Sequence, residues 1–143
     1  MRIGVASDHA GFRYKTLVAQ HLRRLGHDVQ DFGTDSEAPV DYPDFIRPLA
    51  VAVAQGKLER GFAFGGSGNG EAITANRVRG IRCAVTWNQE SARLSRAHND
   101  ANILSFGQRL VPEDQLLPIV DLWLATPFEG GRHVARIRKL DEP

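Results

Sequence analysis

A glycine-rich segment followed by a carboxylate is the strongest chemical feature of the sequence. Gly65–Gly70 contains four glycines, and Glu71 comes directly after it. Glycines let the backbone approach an anion closely and point its N–H groups at it, so the segment predicts a cradle for a phosphate or an oxyanion. The alternative is a tight turn between a strand and a helix, for which one or two glycines are enough.

Three well-known motifs are excluded in this segment, each because the sequence does not match the motif. A Walker A loop requires lysine where Glu71 stands, and a carboxylate there repels a triphosphate. A nucleophile elbow requires glycine where Asn69 stands. The dinucleotide fingerprint requires G-x-G-x-x-G after the first strand, whereas Gly66–Gly70 is G-x-G-x-G after the third.

Two roles are compatible with the position of Glu71. A carboxylate in the first turn of a helix complements the helix dipole. A carboxylate beside preorganised N–H donors can also remove a carbon-bound proton next to a carbonyl while the donors hold the enediolate oxygen. The spacing alone supports both roles equally.

Histidines and arginines elsewhere in the chain are further candidates. His9 follows Asp8 at a predicted strand end, and His98 ends a predicted helix, where a histidine is also favourable as a simple surface residue. Arg132 and Arg136 are four residues apart, so they share a helix face and could hold a phosphate together or form a solvated basic tail. The five histidines show no ligand spacing, and we expect no metal site.

The elements that must position these residues follow a simple alternation of strands and helices. Five short, nearly continuous apolar segments predict strands covered on both faces, at Ile3–Ser7, Asp28–Phe32, Gly61–Phe64, Ile81–Thr86 and Asn102–Phe106. Helical periodicity predicts helices at Phe12–Leu25, Tyr42–Gln55, Glu71–Val78, Gln89–His98, Pro112–Ala125 and Gly130–Leu140. Pro48 is expected to kink or divide the second helix. The pattern predicts an open α/β sheet whose ligand site lies at the carboxyl ends of the strands.

The composition excludes several classes of protein for this chain. The chain has 143 residues and a net charge of +1, which predicts a single domain, 1–143, and argues against a dedicated binder of nucleic acid or membrane surfaces. The lone cysteine, Cys83, excludes a disulfide scaffold and fits a reducing cytoplasm. No apolar run suggests a signal peptide or a membrane span.

Taken together, the motifs resemble those of the ribose-5-phosphate isomerase B group of sugar-phosphate isomerases. The resemblance covers nearly the whole chain. It rests on the segments Ser7–Gly11, Asp41–Pro43, Gly66–Glu71, Ala75–Arg77, Gly80–Arg82, His98–Asn102 and Gly107–Arg109.

The resemblance implies a Rossmann-like, three-layer α/β/α fold with a five-stranded parallel sheet and an additional C-terminal helix. It implies an aldose–ketose isomerase that needs neither metal nor cofactor and works through a cis-enediolate, most simply on ribose 5-phosphate. Many members carry a cysteine base at the position of Gly65, and this sequence is similar to the other branch, in which Glu71 is the base. A homodimer with shared active sites is also implied, with the C-terminal helix, about 130–140, docked on the partner. Whether dimers pair into tetramers is left open.

The resemblance also implies a role for each polar residue. His98 would open the furanose ring, assisted by Ser67, and Asp8 and Asn99 would contact sugar hydroxyls. The enediolate oxygen would be held by the N–H groups of Gly66, Ser67, Gly68, Asn69 and Gly70. The phosphate would be bound by His9, Arg109, Arg132 and Arg136.

Alternative functions use the same residues. The base and the phosphate contacts would also serve allose 6-phosphate, galactose 6-phosphate or a tetrose phosphate. A non-catalytic phosphate or nucleotide sensor would use the same glycine loop, although it has no need of Glu71 beside a phosphate. Nucleic-acid binding through Gly131–Lys139 has little support elsewhere in the chain.

Overall fold

The chain folds around one parallel sheet of five strands, and the computed structural model describes residues 1–143. The strands are β1 (Arg2–Ser7), β2 (Asp28–Asp31), β3 (Arg60–Gly65), β4 (Cys83–Thr86) and β5 (Ile103–Gly107). Their order across the sheet is β2-β1-β3-β5-β4, and every neighbouring pair is parallel. The carboxyl ends of β1, β3 and β5 therefore meet at the middle of one edge.

Helices cover both faces of this sheet. They are α1 (Phe12–Arg24), α2 (Pro43–Ala54), α3 (Asn69–Asn76), α4 (Gln89–Asn99), α5 (Glu113–Ala125) and α6 (His133–Arg138). The core beneath α1, α4 and α5 is separate from the core beneath α2 and α3. This is the predicted three-layer α/β/α fold. None of the helices has both the length and the apolar character needed to cross a membrane.

Strand β3 lies at the centre of both cores. Phe62 and Phe64 project to the α1/α5 face, where Phe62 meets Trp123 edge-on at 5.1 Å and Phe64 stacks on Phe106 at 5.4 Å between ring centroids. Ala63 projects to the opposite face, toward α2 and α3. Because side chains of β3 pack into both cores, the strand is fixed in place and the loop that follows it starts from a rigid position.

Two strands differ from the sequence prediction. β2 is not covered on both faces, because it is an edge strand and three of its four residues are exposed. β4 begins at Cys83 rather than Ile81, because the N–H of Arg82 donates to Oδ1 of Asn102 at 2.8 Å rather than to a backbone carbonyl of β5. Short edge strands carry a weaker apolar signal than central ones.

The interior prolines do not divide their helices, contrary to the prediction for Pro48. Proline removes the N–H that would bond the carbonyl four residues earlier. Asp44 and Pro48 are both exposed, as are Asp114 and Pro118, so water can reach each freed carbonyl. α2 and α5 therefore continue through these positions.

The C-terminal helix is shorter than the predicted Gly130–Leu140. Gly130 and Gly131 adopt φ values of 68° and 58° and form a turn before α6, which spans only six residues. Left-handed backbone at two successive positions is costly for any residue but glycine. The turn reverses the chain, so that α6 packs beside the end of α4.

Candidate active site

A cavity of about 270 Å³ opens where β1 and β3 end. The helix after β1 lies on one face of the sheet and the helix after β3 lies on the other, so the two loops part and leave a crevice at this topological switch point. Nine residues line the cavity: Asp8, His9, Ala10, Tyr42, Gly66, Ser67, Gly70, Glu71 and Arg109. Seven of them were predicted as site residues from the sequence.

The glycine loop offers free backbone donors to this cavity. The N–H groups of Gly66, Ser67, Gly68 and Gly70 donate to no acceptor in the protein, whereas that of Asn69 bonds to the Ser67 hydroxyl at 3.2 Å. Gly68 adopts a φ of 82°, and its carbonyl accepts a hydrogen bond from Ser105 at 2.8 Å. The loop is therefore held in place with its donors unused, which is the arrangement that an oxyanion requires.

Glu71 occupies the space that a side chain at residue 65 would fill. It lies in the first turn of α3 and is 3% exposed. A Cβ built on Gly65 would overlap the Glu71 carboxylate. Gly65 has no positive φ, so the glycine is needed here for this close approach rather than for the backbone conformation.

The surroundings of Glu71 make it a stronger base than an exposed glutamate. Burial raises the pKa of Glu71, and the neighbouring Asp8 raises it further by charge repulsion and by a hydrogen bond to the protonated form. A hydrogen bond from its own backbone N–H opposes these effects. A carboxyl group with a raised pKa is well suited to accept and return a proton near neutral pH.

Asp8 and His9 are fixed by backbone contacts on either side of the crevice. Asp8 is buried, and its Oδ1 accepts hydrogen bonds from the N–H groups of Ala10 at 2.9 Å and Gly11 at 3.1 Å. His9 Nδ1 accepts a hydrogen bond from Val40 N–H at 3.1 Å. The neutral His9 ring therefore carries its proton on Nε2, which leaves a donor for an anionic ligand.

Arg109 and Tyr42 complete the cavity. A Cβ on Gly66 would lie 3.1 Å from Nη1 of Arg109, so the guanidinium lies against the glycine loop. A Cβ on Gly70 would meet the Tyr42 ring at 2.6 Å, so Tyr42 closes the opposite side. Tyr42 was not predicted as a site residue. The only hint in the sequence is that Tyr42 belongs to the Asp41–Pro43 motif, and this motif indicates the start of a helix as readily as a binding site.

Six predicted site residues do not line the cavity within one chain. Two of them, Gly68 and Asn69, belong to the glycine loop, and the other four come from segments that do not contribute to the cavity. His98 lies at the end of α4, with Nε2 3.7 Å from Glu129 and its ring stacked on His133 at 4.5 Å between centroids. Asn99 is exposed and lines a different cavity of about 410 Å³ with Leu140. Arg132 immediately precedes α6 and Arg136 lies within it, and both side chains are exposed.

Cys83 does not line this cavity. Its thiol is half-buried at the start of β4, packed against the α2/α3 core, and burial raises its pKa. A thiol with a raised pKa holds less of the reactive thiolate. The structure therefore contains no cysteine that could replace Glu71 as the base.

Comparison with known proteins agrees with this geometry. The model of the family described as Ribose/Galactose Isomerase matches residues 3–140. The chain is 42% identical to ribose-5-phosphate isomerase B of Escherichia coli over 139 residues, which cover 97% of this chain and 93% of that protein. It superposes on ribose-5-phosphate isomerase B of Clostridium thermocellum with a TM-score of 0.97 and 49% identity, covering 99% and 95% of the two chains. The Mycoplasma genitalium enzyme with bound ribulose-5-phosphate gives a TM-score of 0.93 at 36% identity, covering 97% and 93%.

Proposed function

Because this chain belongs to the ribose/galactose isomerase family, we propose that it is an aldose–ketose isomerase that converts ribose 5-phosphate to ribulose 5-phosphate. The observation that carries the proposal is the position of Glu71. Its buried carboxylate lies in one cavity with unused N–H donors and with the cationic or donor groups of His9 and Arg109. A phosphate-binding module has no use for a carboxylate of raised pKa beside its anion.

The proton transfer follows from this arrangement. The Glu71 carboxylate removes the proton from C2 of the open-chain aldose, and the bonding electrons form the C1–C2 double bond of a cis-enediolate. The negative charge moves to the oxygen on C1, where the free N–H groups of Gly66, Ser67, Gly68 and Gly70 stabilise it. Glu71 then returns the proton to C1, while the proton of the C2 hydroxyl passes to the oxygen on C1, which leaves a ketone at C2 and a hydroxyl at C1. The base is regenerated, and no electron acceptor is consumed.

Charges along the cavity set the orientation of the substrate. His9 and Arg109 bind the phosphate, and Asp8 contacts a sugar hydroxyl next to Glu71. This separation keeps the phosphate dianion away from the two carboxylates, where it would be repelled. Although the net charge of the chain is only +1, the cavity has an acidic end where the reaction takes place and a basic end where the phosphate binds.

We further propose that a second copy of the chain completes each site. His98, Asn99, Arg132 and Arg136 would reach the cavity from the partner, where His98 opens the furanose ring and the arginines bind the phosphate. Exposed apolar side chains support this assembly, since Ile73, Trp87 and Leu140 are 58%, 65% and 62% exposed. Ile73 lies one helical turn from the cavity residue Gly70, and Leu140 follows α6, so both surfaces belong to the segments that the dimer would join.

A phosphorylated substrate and a free thiol both favour the cytoplasm as the location of this enzyme.

The identity of the substrate is tested by a coupled isomerase assay with four-, five- and six-carbon sugar phosphates. The proposal predicts the highest kcat/KM with ribose 5-phosphate. A higher value with allose 6-phosphate or galactose 6-phosphate would change the substrate, and no turnover of any of them would exclude the function.

The shared site is tested by mixing two variants, at a substrate concentration low enough that neither variant alone has appreciable activity. Glu71→Gln removes the base, and the double variant Arg132→Ala/Arg136→Ala removes the phosphate contacts supplied by the partner. In dimers that exchange subunits, half of the molecules are mixed and each mixed dimer has one intact site, so activity should recover to about a quarter of the wild-type value. No recovery after verified exchange would show that each chain supplies all of its own site.

A further inference from the structure

Lys15 is a buried lysine that does not line the cavity. It lies in the first turn of α1 and is only 2% exposed. Both features are unfavourable for a lysine, because burial removes water from the ammonium group and the start of a helix carries a partial positive charge. The contacts of Lys15 must therefore offset these costs.

The Lys15 ammonium group makes all of its hydrogen bonds at the end of β2. Nζ donates to the two carboxylate oxygens of Asp31 at 2.7 and 2.8 Å and to the carbonyl of Thr34 at 2.5 Å. An ammonium group has three donors, so none is left over. Asp31 Oδ1 also accepts a hydrogen bond from the N–H of Gly33 at 2.8 Å. Lys15 and Asp31 together therefore fix the chain where it leaves β2.

The same point of the chain is joined to the end of β1. The N–H of Ser7 donates to the carbonyl of Gly33 at 2.7 Å, and the N–H of Thr34 donates to the carbonyl of Ser7 at 2.8 Å. Ser7 directly precedes the cavity residues Asp8 and His9. Because β2 is an edge strand, β1 is its only neighbour in the sheet, and Lys15 adds a second support from α1.

The segment that follows Thr34 has few contacts of its own. Among the backbone groups of residues 35–40, only the N–H of Val40 bonds to another part of the chain, and it donates to Nδ1 of His9 at 3.1 Å. Tyr42, which lines the cavity, follows two residues later. The position of Val40 against His9 therefore depends on where the segment is held at Thr34 and at the start of α2.

We propose that Lys15 is a positioning residue for the phosphate end of the cavity, because it holds residues 34–40 so that Val40 fixes the ring of His9. Without the ammonium group, Asp31 and the carbonyl of Thr34 lose their shared partner, and the segment is free to shift. Nδ1 of His9 then loses its donor, so the ring proton is no longer confined to Nε2. The consequence for substrate binding rests on the proposed function, in which His9 binds the phosphate, whereas the effect on the ring does not.

This role concerns phosphate binding rather than proton transfer. Glu71 and the glycine loop follow β3, and Lys15 makes no hydrogen bond to either. The loss of one hydrogen bond to an anion weakens binding by about tenfold. Removing the ammonium group should therefore raise KM by about that factor and leave kcat nearly unchanged.

The substitution Lys15→Met tests the proposal, because methionine keeps an unbranched apolar stem and removes the charge. The Asp31 side chain is 35% exposed, so water can hydrate its carboxylate in the variant. We expect KM for ribose 5-phosphate and the inhibition constant of inorganic phosphate to rise together by about tenfold. Long-range ¹H–¹⁵N NMR of the histidine rings should show His9 as the Nε2–H tautomer in the wild type and as a mixture in Lys15→Met.

His21→Asn is the matched control, because His21 joins the same helix to Asp121 on α5 at 2.6 Å and has no contact with residues 34–40. It should lower thermal stability without changing KM, phosphate inhibition or the His9 tautomer. Asp31→Asn is a second variant that keeps the side-chain shape and weakens the contact with Lys15. It should shift the same three quantities in the same direction by a smaller factor, and it decides the matter if Lys15→Met does not fold.

A folded Lys15→Met protein with unchanged KM, phosphate inhibition and His9 tautomer would overturn the proposal and leave Lys15 with a purely structural role. A fall in kcat at unchanged phosphate affinity would also overturn it. If the chain proves not to isomerise ribose 5-phosphate, the proposed function fails, but the His9 tautomer still tests the role of Lys15. The two failures are therefore distinguishable.

Discussion

The substitution Gly65→Ala should lower the activity of the enzyme without removing any polar group. A Cβ on residue 65 would overlap Oε1, Oε2 and Cδ of Glu71, so the carboxylate must move to make room. A displacement of about 1 Å at a reacting group costs on the order of 10²-fold in rate. The proposed phosphate contacts, His9 and Arg109, are not displaced by this change, so we expect kcat to fall about 10²-fold with KM little changed.

Steady-state kinetics with ribose 5-phosphate measure this effect, and thermal denaturation checks that the variant is folded. Gly56→Ala is the matched control. Gly56 has a φ of 75° and open space around its Cα, so alanine there strains the backbone and lowers stability but leaves kcat unchanged. A folded Gly65→Ala protein with the wild-type kcat would refute the idea that Glu71 works from the space above Gly65.

Four further outcomes follow from the site. Burial and Asp8 raise the pKa of Glu71, so kcat/KM should fall as the pH drops through that raised pKa. The same shift means that stability contributed by protonated Glu71 is present below the ordinary carboxyl pKa and lost as the pH rises through the raised value. Glu71→Gln should therefore be more resistant to heat than the wild type above that pH, and thermal denaturation across pH tests the sign. Tyr42→Phe should lower kcat/KM up to about tenfold, the usual effect of one hydrogen bond, and an unchanged value would remove the Tyr42 hydroxyl from the site. Arg136→Ala should mainly raise KM, and an unchanged affinity for inorganic phosphate as an inhibitor would contradict its role in the shared site.

The fold is predictable from the sequence wherever apolar periodicity reflects burial. The segments that became β1, β3 and β5 are buried on both faces, and their continuous apolar character shows it. The edge strand β2 is mostly exposed, so the same pattern predicts the strand but not its environment. The effect of Pro48 depends on whether water can reach one carbonyl, and that is a property of the packed helix rather than of the sequence.

The site is predictable only in part because its residues come from separate segments. Glu71 and the glycine loop are contiguous, and their chemistry is visible in the residue types alone. The overlap between Glu71 and the missing side chain of Gly65 depends on three-dimensional proximity, as does the place of Tyr42 beside Gly70.

The role of Glu71 as the proton-transferring base is tested most directly by isotope exchange. Ribose 5-phosphate deuterated at C2 is incubated with the wild-type enzyme and with Glu71→Gln, and the loss of deuterium to water is followed by NMR. We expect the wild type to release deuterium during turnover and Glu71→Gln to release it at least about 10²-fold more slowly, since a general base contributes that much or more. Release by Glu71→Gln at the wild-type rate would contradict the mechanism and assign the proton to another group.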